Sequence, residues 1–228
     1  MIDERTHRAI PLGVTLLIAT LAALAALAVS GGPAAQAHGE PAVAAKGSVT
    51  GSEFALRQGM RSLWEDHVSW TRLAIISLTT DSPDTKATVA RLLRNQSDIG
   101  NAIKPYYGAK AGTGLTQLLR EHILIAADLV AAAKAGDKAK LNAALKTWYV
   151  NGRQIAAFMT KANPDAWPLS MTSSMMKRHL QLTTAEAAAR IGGKWAADVA
   201  AYDKVHAEIL EMATMLSSGI IAQFPGRF

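Results

Sequence analysis

The stretch LWEDHV at residues 63–68 recurs twice along the chain, as LLREHI at 118–123 and as MMKRHL at 175–180. Each copy runs apolar, apolar, charged, charged, histidine, apolar, and the histidines follow one another at intervals of 55 and 57 residues. A period of this length is typical of a supersecondary unit used in tandem. Amphipathic helices in general align to some degree, so a coincidental match is the alternative. We interpret the recurrence as three helical units of one kind.

A second, weaker match lies in the segments that follow each copy. NQSDI at residues 95–99 resembles NGRQI at 151–155, and YDKVH at 202–206 takes the corresponding place in the third unit. The intervals between these segments are close to the intervals between the histidines. The sequence therefore predicts that each unit is a pair of helices, which makes three helical hairpins.

Apolar residues recur every three or four positions through almost the whole chain after residue 52, and no alternating stretch is long enough for a strand. Cap residues, prolines and glycines divide this region into helices with short connections, which place consecutive helices antiparallel. Among these signals, Pro105 is predicted to end the second helix. The sequence therefore predicts an all-α domain at 53–228, an antiparallel helical bundle of about six helices built as three helical hairpins. The predicted helices cover residues 52–78, 84–104, 113–135, 137–161, 170–191 and 194–218.

Residues 1–37 have the order of a secretory signal peptide. Two arginines precede an almost purely apolar run at 12–29, and a small-residue AQA site at 35–37 follows a Gly-Gly-Pro break. The apolar run is nearly long enough to cross a bilayer, so an uncleaved anchor is the alternative. We expect cleavage, export to the periplasm or the extracellular space, and no transmembrane span in the mature chain. Residues 38–52, rich in Gly and Ala, are predicted to be a flexible linker.

The chain carries a net charge of +6 and contains no cysteine. Its basic residues are spread out and are not interleaved with aromatics, so we expect no nucleic-acid partner. A weak association with an acidic cell surface is compatible with this charge. Without disulfides, an exported fold depends on its core alone. Any metal ion that it binds must use imidazole, carboxylate, amide or thioether ligands.

Four histidines fall inside the apolar faces of predicted helices, each near the middle of its helix: His67, His122, His179 and His206. Mid-helix positions of an antiparallel bundle share one level, so four imidazoles are predicted to meet in one layer. Both nitrogens of a buried imidazole need partners. A divalent transition metal ion, such as Zn, Fe, Cu or Mn, would supply a common partner for all four rings.

Carboxylates and amides on the neighbouring faces complete the predicted site. Asp203 lies three residues before His206, and Glu186 shares the helical face of His179, so both carboxylates are predicted metal ligands. The polar side chains predicted to bind a cofactor beside them are Asn95, Asp98 and Asn151.

Plainer interpretations remain open. Each histidine could be satisfied by a local hydrogen bond in an ordinary core, and Glu186 could belong to a capping box that begins at Thr183. The polar layer could instead line a pocket for a small non-metal ligand or a peptide, or the chain could be a structural protein of the cell envelope. No nucleotide-binding, nucleophile-elbow or HExxH motif occurs, so the sequence specifies no reaction and leaves open whether the protein is an enzyme.

Three short segments resemble an uncharacterised family of exported bacterial all-helical proteins: WEDH at 64–67, NQSDIG at 95–100 and YDKVH at 202–206. The resemblance extends over the whole predicted mature chain. It implies an exported protein with a helical fold, and it implies no particular reaction, cofactor or partner.

Overall fold

The computed structural model describes residues 49–228. The predicted signal peptide at 1–37 and the predicted linker as far as residue 48 lie outside the described residues. The described part is all-α, as predicted, and contains no strand. Its α-helices are α1 Gly51–Thr80, α2 Thr85–Lys134, α3 Lys138–Ala162, α4 Leu169–Ile191 and α5 Trp195–Gln223, followed by a short 3-10 helix at Pro225–Arg227.

Helix α1 begins inside the predicted linker, at Gly51, because Thr50 caps it. The Thr50 hydroxyl accepts a hydrogen bond from the Glu53 backbone N–H at 3.1 Å, and the Glu53 carboxylate accepts one from the Thr50 N–H at 3.3 Å. This reciprocal capping box satisfies two backbone donors that the first helical turn leaves without partners. At the other end Asp81 has a left-handed φ of 53°, and the chain turns towards α2.

The predicted number of six helices differs from the five that the described part contains. The predicted helices at 84–104 and 113–135 form one segment, α2, in which Gly108 leaves helical geometry, with φ 84° and ψ 167°. Pro105 was expected to end the first of them and instead lies inside α2. Proline lacks one backbone donor, yet its fixed φ is compatible with a helix. Glycine makes the turn three residues later, because only glycine adopts this positive φ without strain.

The two arms of α2, before and after Gly108, lie against each other. A Cβ atom on Gly100 would come within 2.6 Å of the Gly112 carbonyl oxygen, and one on Gly112 within 2.5 Å of the Gly100 carbonyl oxygen. Further along, Arg120 of the second arm donates to the Leu93 carbonyl of the first arm at 3.1 Å. The crossing of the two backbones therefore requires glycine at both positions.

The helices enclose one core. Helix α1 packs against α2 and α5, α3 packs against α2 and α4, and α4 packs against α5. These neighbours form a closed ring, so each helix turns one face towards a common interior. Every helix contributes buried apolar side chains to the main core cluster, among them Met60, Ile99, Ile155, Met176 and Ile209. The ring explains how residues from distant repeats can meet at its centre.

In the described part of the chain, α5 alone is long and apolar enough to cross a bilayer, with a mean hydropathy of 1.2 over an 18-residue window. Half of that window is buried within the fold, where α5 packs against α1 and α4. A helix in the core of a globular bundle has the same composition. We therefore describe α5 as a core helix of this ring.

We predict that Gly100→Ala destabilises the protein by about 1–3 kcal/mol, the usual cost of overpacking a tight contact. The added methyl would lie 1.9 Å from the Thr116 hydroxyl oxygen and would push the two arms of α2 apart. Gly114→Ala is the matched control on the same helix, because its methyl would meet only Phe158, at 3.5 Å. The control should gain about 0.5–1 kcal/mol from helix propensity. Urea unfolding measures both, and equal stabilities would contradict the described crossing.

Candidate functional site

Three of the four predicted histidines meet at the centre of the ring. His67 of α1, His122 of α2 and His179 of α4 are only 2%, 3% and 5% exposed. The ring centroid of His179 lies 5.8 Å from that of His122 and 6.2 Å from that of His67. The histidine of each repeated segment therefore reaches one common layer, which we call the histidine layer.

Two tryptophans pack against rings of this layer. Trp64 contacts His67 edge-on with ring centroids 5.3 Å apart, and Trp148 lies 5.1 Å from His122. The Trp148 indole N–H also donates to the backbone carbonyl of His122 at 3.1 Å, which joins α3 to α2. Packing of this kind restricts the rotation of the imidazoles, so their nitrogens point in fixed directions.

The hydrogen bonds of Asn151 determine the tautomer of His122. The Asn151 side-chain N–H donates to the Leu118 carbonyl at 3.1 Å, which leaves the Asn151 Oδ1 atom facing His122 Nδ1 at 2.8 Å. An amide oxygen can only accept, so Nδ1 must carry the proton. In the neutral ring the lone pair is then on Nε2, at the opposite edge. His122 lines one cavity together with His67 and His179.

His179 is oriented in the same way by a carboxylate. Its Nδ1 atom lies 3.1 Å from the Glu208 Oε2 atom, and Glu208 of α5 is 2% exposed. A carboxylate oxygen accepts from a ring N–H, so this contact favours a proton on Nδ1 and turns the Nε2 edge away from Glu208. The second Glu208 oxygen, Oε1, is buried without a hydrogen-bond partner among residues 49–228.

Gln96 lies beside His67, as Asn151 lies beside His122 and Glu208 beside His179. The Gln96 side-chain N–H groups donate to the Leu92 carbonyl at 2.8 Å and to Asn95 at 3.2 Å, so its oxygen is the atom left for His67. Gln96 raises the pKa of His67, as an acceptor beside an imidazole does. Neither His67 Nδ1 nor Gln96 Oε1 completes a hydrogen bond of normal geometry within the described part. His67 is therefore the least constrained of the three rings.

The three neighbours share a spacing that the sequence analysis missed. Gln96, Asn151 and Glu208 each lie 29 residues after the histidine that they face. The sequence match had aligned Asn95 with Asn151, one position away. Asn95 has a related role, because it donates to the Leu63 carbonyl at 2.9 Å, four residues before His67, as Asn151 does before His122.

The layer borders a small apolar cavity of about 50 Å³. All three histidines line it, together with apolar residues from every helix, such as Met60, Ile103, Phe158 and Leu216. About 10–15 Å³ is needed for one water molecule in such a space, so the cavity is suited to a few small molecules. A second cavity of about 40 Å³ has no histidine in its lining.

Two of the imidazoles are neutral at physiological pH. Burial lowers the pKa of His67 from 6.5 to about 3, and repulsion from His179 and then His122 adds to this effect. Burial likewise lowers the pKa of His122 to about 3, with repulsion from His179 as the second cause. A neutral imidazole with a fixed Nδ1–H is the form that can offer its Nε2 lone pair to a metal ion.

The structure places three other predicted site residues away from the layer. His206 is partly exposed and its Nε2 atom lies 2.5 Å from the Glu65 carboxylate, between α5 and α1. Asp203 is exposed, and Asp98 is partly buried with no side-chain hydrogen bond within the described residues. The layer therefore contains three histidines, and the predicted Asp203 and His206 pair does not join it.

Glu186, a predicted ligand, lies in a buried ion-pair network instead. It is 1% exposed and accepts a hydrogen bond from Arg72 at 3.0 Å. Arg72 also holds Asp198 with both terminal nitrogens, and Arg190 donates to the same carboxylate at 3.3 Å. Burial raises the pKa of Glu186, and Arg72 opposes that rise. Helix α4 continues unbroken past Thr183, so the alternative of a capping box does not apply.

Within residues 49–228, no group of three or more His, Asp and Glu side chains already stands at metal-ligand spacing. The rings of the histidine layer are therefore close to one another without converging on a single point.

No protein-family model, curated protein or solved structure matches the chain. The chemistry of the layer is accordingly interpreted from its own geometry.

We predict that the free energy of unfolding falls when the pH is lowered from 7 to 5. In the unfolded chain His67 and His122 regain a pKa near 6.5 and bind protons, whereas in the folded chain their pKa of about 3 prevents this. Stability is therefore lost as the pH falls below 6.5, by about 2 kcal/mol for each histidine at pH 5.

Urea unfolding at several pH values measures this slope. His122→Gln, which cannot titrate in this range, should remove roughly half of the slope that the two histidines cause. A stability that is constant or higher at pH 5 would show that these imidazoles are accessible to protons in the folded protein.

Proposed function

We propose that the histidine layer binds a transition metal ion through the Nε2 atoms of His67, His122 and His179. The observation that carries this proposal is the orientation of the rings. In metal sites the ligating histidine usually donates its other N–H to a carboxylate or carbonyl oxygen, which fixes the tautomer. Asn151 and Glu208 provide such acceptors at 2.8 and 3.1 Å, on the outer side of the layer.

The distances support a site that closes on the ion. Imidazoles that share one tetrahedral ion through bonds of about 2.0–2.1 Å have ring centroids about 5–5.5 Å apart. The centroid of His179 lies 5.8 Å from that of His122 and 6.2 Å from that of His67, so these two pairs would have to close by roughly 1 Å or less. His67 has the most freedom to make this movement, because its Nδ1 atom lacks a hydrogen bond of normal geometry within the described part.

The donor set restricts the kind of metal. Three imidazole nitrogens suit Zn, Cu and Fe better than Mn, which prefers oxygen ligands. Protein sites with three ligands commonly leave one coordination position to water or a small molecule. The adjoining cavity of about 50 Å³ has room for such a molecule and little more. This arrangement is compatible with metal storage, with sensing or with redox chemistry.

A small non-metal ligand is the second candidate function, and the cavity is the observation that favours it. Its lining is almost wholly apolar apart from the histidines, so a small apolar molecule with one polar end would fit there. Such a ligand would lose little affinity when one histidine becomes glutamine, which keeps a polar atom in a similar place. A metal site would lose most of its affinity.

The proposal includes export of the chain and its construction from three helical hairpins. The N-terminal sequence supports export, with the uncleaved anchor as the alternative. The equal spacing of each histidine and its acceptor supports a triplicated hairpin. Mass spectrometry of the protein recovered from its native host would test cleavage after residue 37.

We predict that the untagged full chain binds one equivalent of Co²⁺, used as a spectroscopic probe of zinc-type sites, with an absorption spectrum typical of tetrahedral coordination. His122→Gln and His179→Gln should each weaken this binding at least tenfold, because each removes one of three ligands. Equilibrium dialysis with metal analysis measures the stoichiometry, and circular dichroism verifies that each variant is folded.

His206→Gln is the matched control, since this histidine lies outside the layer and pairs with Glu65. It should bind Co²⁺ as the unaltered chain does. If the unaltered chain binds no stoichiometric Co²⁺, Zn²⁺, Cu²⁺ or Fe²⁺, or if His206→Gln is the variant that loses binding, the proposed layer is not the site.

Two substitutions of Asn151 separate orientation from ligation. Asn151→Asp keeps an oxygen that can accept from His122 Nδ1 and should preserve Co²⁺ affinity. Asn151→Leu removes that acceptor and should weaken affinity about 10–100-fold, the usual effect of losing an outer-shell partner. The same dialysis measures both variants, and equal affinities would mean that the tautomer of His122 does not matter for binding.

A further inference from the structure

A second feature of the chain lies on its surface between α4 and α5. A groove of about 320 Å³ is lined by four methionines, Met171 and Met175 of α4 and Met212 and Met215 of α5. These are half of the eight methionines of the chain. They stand four and three residues apart, so each pair occupies one face of its helix. The groove therefore gathers thioether sulfurs from two neighbouring helices around one space.

A buried carboxylate borders the same groove. Glu208 is 2% exposed, and its Oε2 atom accepts a hydrogen bond from His179. Its other oxygen, Oε1, is buried and has no hydrogen-bond partner among the described residues. A buried oxygen of this kind is costly unless a donor or a cation satisfies it. The other charged residues of the lining, Arg178 and Glu211, form a surface ion pair at 3.0 Å and cancel each other. Besides this ion pair, the groove therefore has one buried carboxyl group in its lining, that of Glu208.

We propose that this methionine groove is a separate binding site for a soft monovalent cation, copper(I), held by thioether sulfurs, with the unpartnered oxygen of Glu208 beside them. Thioether ligands select copper(I) over the harder divalent ions. The chain contains no cysteine that could compete for it. The groove and the histidine layer meet at Glu208, which has one carboxylate oxygen on His179 and borders the groove, but the copper(I) site does not depend on metal binding by the layer.

The methionines could alternatively provide a flexible apolar surface for a helix or peptide of another protein. Substitution by leucine distinguishes the two, because leucine keeps the volume and the apolar character and removes only sulfur. Such exchanges usually cost less than about 1.5 kcal/mol, so the folded protein should survive them. An apolar docking surface would be unaffected, whereas a copper(I) site would lose its ligands.

The test uses the full chain with the three substitutions Met171→Leu, Met175→Leu and Met215→Leu combined. Copper(I) is titrated without oxygen against a chromophoric copper(I) chelator. We expect the unaltered chain to withdraw copper(I) from the chelator and the triple variant to bind it at least tenfold more weakly. His206→Gln, which lies outside both the groove and the histidine layer, is the control and should behave as the unaltered chain. Residues 1–48 are common to all variants, so copper bound there cancels in the comparison.

A second readout does not depend on the triple variant. The chain labelled with ¹³C at its methionine methyl groups is titrated with silver(I), a redox-inert substitute for copper(I). The resonances of the four groove methionines should shift on addition of silver(I). The proposal is overturned if the triple variant competes as well as the unaltered chain, or if silver(I) leaves the groove methionines unshifted. His122→Gln should leave copper(I) binding in the groove unchanged, whatever it does to Co²⁺.

Discussion

The hydrogen bonds that α3 and α5 make to the Nδ1 edges of His122 and His179 fix the centre of this protein. A buried imidazole without partners would cost free energy comparable to a lost hydrogen bond. Asn151 and Glu208 remove that cost on one edge and thereby decide where the other edge points. Because these acceptors come from different helices, the ring must close for the layer to form. The orientation of the Nε2 edges and the proposed metal site both depend on this arrangement.

Sequence periodicity could identify the three histidines of the layer, because repeated segments place them on equivalent apolar faces. It could not identify their acceptors reliably, since Gln96, Asn151 and Glu208 share an acceptor oxygen but no residue type. The interval of 29 residues is present in the sequence, but only the fold shows that it separates each histidine from the side chain that faces it. His206 was assigned to the layer because it is flanked by apolar residues. On α5 the inward residue is Glu208, two positions later and about 200° around the helix.

Contacts between distant parts of the chain account for the other differences. Glu186 has Arg72 as its partner, 114 residues away, and no local pattern indicates that pairing. The helix count depended on Pro105, a strong stop signal, whereas the turn itself is made by Gly108. The close crossing of Gly100 and Gly112 then brings the second arm of α2, with His122, into the ring. The all-α class could be predicted from the sequence, because it follows from the local spacing of apolar residues and from composition.

The direct test of the layer is nitrogen NMR of the ¹⁵N-labelled histidines in the metal-free protein between pH 7 and pH 5. We predict that the His122 ring carries its proton on Nδ1, with Nε2 resonating as an unprotonated nitrogen, and that the signals of His67 and His122 stay constant over this range. If His122 instead carries its proton on Nε2, or if it titrates near pH 6.5 as an exposed imidazole does, the described orientation of the layer is wrong.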